Sequence, residues 1–104
     1  MDEHQRQMWG RMVSQVDAFR MGQKTLRQLV DDLRGLYVAA DAHDQTVQDE
    51  FEDHWSTLDV ELALRSEPWA PAGAANDQTL TEALVDFESW IQGLLASSSF
   101  DQHD

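Results

Sequence analysis

Residues 44–65 read DQTVQDEFEDHWSTLDVELALR. Val47, Phe51, Trp55, Leu58 and Leu62 recur at spacings of four, four, three and four. That is the period of one face of an α-helix, whereas the side chains of a strand alternate with period two. The spacing predicts a helix over 45–65, opening near Asp44 or Thr46. Ser66-Glu67-Pro68 stops it, because proline lacks the N–H that would continue the hydrogen-bond ladder. The acids of this stretch, Asp49, Glu50, Glu52, Asp53, Asp59 and Glu61, lie mostly off the apolar stripe.

Similar stripes stand on either side. Met8, Trp9, Met12, Val13, Val16 and Phe19 predict a helix near 2–20, with Gly22 as its stop. Thr25 and Gln28 have capping-box spacing and open a helix near 25–40 carrying Leu26, Leu29, Val30, Leu33, Leu36 and Tyr37. After the loop SEPWAPAGAAND, Thr79 and Glu82 repeat the capping-box spacing. Leu80, Leu84, Phe87, Ile91, Leu94 and Leu95 then predict a helix near 78–96.

No stretch alternates with period two over a useful length. The expected fold is all-α: an antiparallel four-helix bundle in one compact domain over 1–96, with 97–104 as a disordered tail. Met12, Phe19, Leu29, Leu33, Phe51, Trp55, Leu58, Leu84, Phe87 and Ile91 are the expected core.

The chain of 104 residues has 20 acidic and 7 basic side chains, a formal net charge of -13. Six of the seven basic residues precede Gly35, and Arg65 is the only one after it. The acidity therefore belongs to the second half. Such a surface repels nucleic acid and anionic membranes and attracts basic proteins. There is no cysteine, which removes disulfides and thiolate chemistry. No signal-like N-terminus or membrane-length apolar run is present, and the expected location is cytoplasmic.

Chemistry is harder to find. The four histidines are scattered, and no phosphate loop or nucleophile elbow occurs. Glu50 and His54, four apart with Asp53 beside them, come nearest to a metal site. Carboxylates on a helix are usually solvated, however, and no metal or cofactor is expected. The acids of 41–53 lack the order of a calcium loop. Neither catalytic residues nor an enzymatic activity are expected.

The segment Phe19-Arg20-Met21-Gly22-Gln23-Lys24-Thr25-Leu26, followed by Asp49-Glu50-Phe51-Glu52-Asp53-His54-Trp55, resembles the small acidic immunity proteins of the colicin D immunity type. The resemblance spans roughly residues 19–65. Beyond it Pro68-Trp69-Ala70-Pro71 stands in place of a tyrosine- and proline-bearing segment. The resemblance implies a helical protein that binds and blocks a basic nuclease toxin.

Asp49, Glu50, Glu52, Asp53 and Glu61 are the residues expected to meet that partner, with Trp69 as a loop anchor. Two other readings of the same acidity remain open. One is a nucleic-acid mimic that blocks a DNA- or RNA-binding protein. The other is an adaptor or structural bundle whose charge only solubilises it.

Overall fold

The computed structural model describes residues 3–66 and 77–101, and these form four helices: α1 (Glu3–Arg20), α2 (Leu26–Ala40), α3 (Gln45–Ser66) and α4 (Asp77–Asp101). Local chemistry accounts for most of the ends. At the end of α1, Gly22 N–H bonds Phe19 O and Gln23 N–H bonds Ala18 O, at 3.0 and 2.9 Å. This is a Schellman stop, and Gly22 takes the positive φ of 78° that it requires. Thr25 caps α2 with both halves of the capping box, its Oγ1 accepting from Gln28 N–H and Gln28 Oε1 accepting from Thr25 N–H. Asp41 closes α2 in the left-handed conformation. Asp44 opens α3, its Oδ1 accepting from the N–H groups of Thr46 and Val47.

At α4 the start falls where expected, but the cap and the far end differ. Thr79 lies inside the helix, which begins at Asp77, and Glu82 Oε1 accepts from the side chain of Gln78 rather than from a cap. The helix also runs through Asp101 instead of ending at 96, so the first part of the expected tail continues α4. Three serines carry no proline or glycine stop, and extending an existing helix is far easier than starting one. Trp69 and its flanking prolines lie outside the described residues.

Helix α1 packs on α2 and α4, and α3 packs on the same two, which makes a four-cornered bundle. Contacts run in opposite order along each successive pair. Gln5, in the first turn of α1, donates to Asp41 O just past the end of α2. Glu52 of α3 meets Arg34, while Trp55 meets the earlier Val30 of α2. Glu50 meets Trp90 of α4, while Arg65 meets Asp77. Successive helices are therefore antiparallel.

The core is aromatic at its centre. Trp9 of α1 reaches Phe51 of α3 across the diagonal, with ring centroids 6.0 Å apart. Tyr37 stacks on Phe51 at 4.0 Å and Phe87 meets it edge-on at 6.0 Å. Met12, Leu29, Leu33, Phe51, Leu58, Leu84, Phe87 and Ile91 are buried as the stripes require. Phe19 and Trp55 are only partly buried. Trp55 sits at the α2–α3 seam, where its indole N–H bonds Val30 O at 3.0 Å and its ring lies 5.2 Å from the Arg34 guanidinium. A corner aromatic with a polar handle keeps one edge wet. Trp9, at the edge of its stripe in sequence, is fully buried.

Candidate docking groove

A helix turns near 100° per residue, so acids adjacent in sequence point to different neighbours. The cluster of α3 divides accordingly. Glu52 lies on the α2 flank, where Arg34 holds it at 2.6 Å. Asp49 is exposed, accepts from the amide of Gln45 and acts electrostatically on Tyr37 of α2. Glu50 lies on the α4 flank and accepts a hydrogen bond from the indole N–H of Trp90. Asp53 is exposed on that flank and shares a cavity with Thr79 of α4.

Glu61 corrects the sequence reading. It is 5% exposed and cannot belong to an open acidic face. Arg65, one turn on, approaches its carboxylate at 3.7 Å. Glu61 also lines a cavity with Thr79, in the first turn of α4, where the positive end of the helix dipole favours an anion. Its burial follows from the seam between α3 and α4, which lies to one side of the stripe through Leu58 and Leu62.

Two adjoining cavities mark that seam. One, about 490 Å³, is lined by Asp53, Ser56, Thr57, Val60, Glu61 and Thr79. The other, about 200 Å³, is lined by His54, Thr57, Thr79, Glu82, Ala83 and Asp86. Thr57 and Thr79 belong to both, so the two form one groove along α3 and α4. Its α3 edge carries Asp53, and its α4 edge carries Glu82 and Asp86, one helical turn apart. The lining includes no lysine or arginine. His54 packs towards the core, its ring 5.8 Å from Phe87 and 5.2 Å from Trp90. Val60, 55% exposed, supplies an apolar surface within the groove.

Elsewhere several acids are answered from within the chain. A cavity of about 330 Å³ contains Asp31 and Asp32, but Lys24 Nζ stands 2.5 Å from Asp32. Glu88 pairs with Arg20 at 2.5 Å and Asp77 with Arg65 at 2.9 Å. Basic residues of the first half thus reach acids of the second across α2–α3 and α1–α4. The unevenness seen along the chain is partly closed in space, and Asp53, Glu82 and Asp86 of the α3–α4 groove are among the acids that remain exposed.

The sequence reading grouped Asp49, Glu50 and Glu52 with Asp53, although none of the three lines the groove, and did not place Glu82, Asp86 or Val60 among the partner-facing residues. The available signal was weak: Glu82 and Asp86 lie off the Leu84–Phe87–Ile91 stripe at a spacing of four, as any solvated pair would. Among the described residues, no group of three or more His, Asp or Glu side chains is placed to hold a metal ion. No helix among them is long and apolar enough to cross a membrane. Neither a protein-family model, nor a curated protein, nor a solved structure matches this chain.

Proposed function

We propose that this chain is a stoichiometric inhibitor of a basic protein, in the manner of an immunity protein that blocks a nuclease toxin. The observation that carries the reading is the α3–α4 groove. Asp53, Glu82 and Asp86 stand on its two edges without a lysine or arginine in the lining. Neighbouring carboxylates raise one another's energy, and a partner bringing Lys or Arg relieves that repulsion while being steered in at a raised association rate. A nuclease groove built for phosphates has the complementary charge. The resemblance of residues 19–65 to colicin D immunity proteins supports the same class of partner.

The test is affinity capture from the native host with the wild-type chain and with the Asp53→Asn/Glu82→Gln/Asp86→Asn variant, read by mass spectrometry. The expected result is a basic nuclease that the wild type captures and the variant captures poorly. Its activity should fall to zero at one equivalent of wild type. Capture of no basic protein, or of one whose activity is unaffected, would remove the inhibitor reading.

A further inference from the structure

We infer that the α3–α4 groove seats a single amphipathic helix of the basic partner, with Lys or Arg reaching both edges and a short apolar face against Val60. The inference rests on the reading of this groove as the docking surface and adds the form of what docks there. Three features of the groove lead to it.

The first is charge on both edges. Asp53 stands on α3, and Glu82 and Asp86 stand on α4. Glu82 and Asp86 are one turn apart, about 6 Å along the axis. Basic side chains at i and i+4 of a helix have the same spacing. A helix lying between the two edges presents such residues on both of its flanks.

The second is apolar surface. Val60 is 55% exposed on the α3 side, two turns from Asp53 on the same face of the helix, and Ala83, Thr57 and Thr79 share the lining. A purely electrostatic ligand such as oligolysine gains nothing from this surface. A helix with a narrow apolar stripe covers it.

The third is the backbone of the walls. Both walls are α-helices, whose interior N–H and C=O groups are already paired. A strand laid in the groove would find no ladder partners for its own backbone, and burying those groups unpaired is costly. A helix brings its hydrogen bonds with it. The groove between two packed helices is also the shape that receives a third.

The experiment uses the full chain, ¹⁵N-labelled, and three synthetic peptides: an amphipathic Leu/Lys helix, its isomer with a central proline, and an oligolysine of equal charge. Affinity is measured at low salt, and the site is mapped by amide shifts. The amphipathic helix should bind at least about tenfold more tightly than the other two, with shifts centred on Thr57, Val60, Thr79 and Ala83. Val60→Ser, which leaves every charge in place, should weaken the amphipathic helix about tenfold, as expected for roughly 1.4 kcal/mol of lost contact, and leave oligolysine unchanged.

Equal binding of all three peptides, weakened by the Asp53/Glu82/Asp86 variant, would overturn the helix inference and leave the acidic docking surface standing. Shifts on another face of the bundle, or no binding at all, would overturn both.

Discussion

Arg34 of α2 and Glu52 of α3 form an ion pair of 2.6 Å across the helix seam. The same guanidinium lies 5.2 Å from the Trp55 ring and 5.7 Å from that of Tyr37. One arginine thus joins charge, cation–π contact and packing at a half-exposed corner. The charge component is small in such a setting, about 0.2–1 kcal/mol. The contact with two rings adds a comparable amount.

Tyr37 reports on this corner. Burial raises its pKa above 10.0, the charge of Glu52 raises it further, Arg34 lowers it and Asp49 raises it. Tyr37 is the only tyrosine in the chain, so its phenolate absorbance can be followed without deconvolution. Titration of the folded protein should give a midpoint above that of the protein in denaturant. Because the folded state holds the proton longer, stability should decline as pH rises past the unfolded pKa towards the folded one. Arg34→Ala should push the folded midpoint higher still. A midpoint at or below the denatured value would contradict the burial of this ring.

Leu58→Ala should destabilise the fold by about 2–5 kcal/mol, because Leu58 is fully buried between the helices. Chemical denaturation is the measurement. A loss under about 1 kcal/mol would mean that α3 does not present this face to the core.

Gly35 and Gly93 lie in the interiors of α2 and α4, and a Cβ at either meets nothing within 4 Å. Alanine at each should therefore stabilise the protein by about 0.5–1 kcal/mol. Gly22→Ala should do the opposite by roughly 1 kcal/mol, because its φ of 78° is strained for any side chain. Thermal melts of the three variants should show opposite signs.

The Asp53→Asn/Glu82→Gln/Asp86→Asn variant should keep the helical circular-dichroism spectrum of the wild type. Its captured partner should associate more slowly at low salt, with dissociation changed much less. Added salt should narrow the difference, since screening weakens steering for both proteins. Association at the wild-type rate in low salt would place the docking surface elsewhere on the chain.

The positions of the helices were legible because each element carries its own signal. The stripe through Val47, Phe51 and Leu58, the Thr25–Gln28 box and the Gly22 stop act within a few residues and need no distant partner. The candidate site was legible only in part. Asp53 lines the groove and Glu61 lines it from a buried position, but Asp49, Glu50 and Glu52 were grouped with them only because all lie on one polar stretch. Trp55, expected in the core, is only partly buried for a related reason. Periodicity places it on a stripe, but depth depends on which neighbour covers the edge.

From the sequence alone came four amphipathic helices, the residues each turns inward and an excess of acid after Gly35. Those properties follow from the 3.6-residue period and from counting charges, and both are local or additive. Only the tertiary structure decided that Arg34 and Arg20 pair with Glu52 and Glu88, that Glu61 sinks beside the first turn of α4, and that Asp53 on α3 and Glu82 and Asp86 on α4 line adjoining cavities. Each depends on how far a helix is rotated about its own axis against its neighbours. That rotation is set jointly by the Trp9, Tyr37, Phe51 and Phe87 rings, contributed by all four helices, and so no single segment contains it.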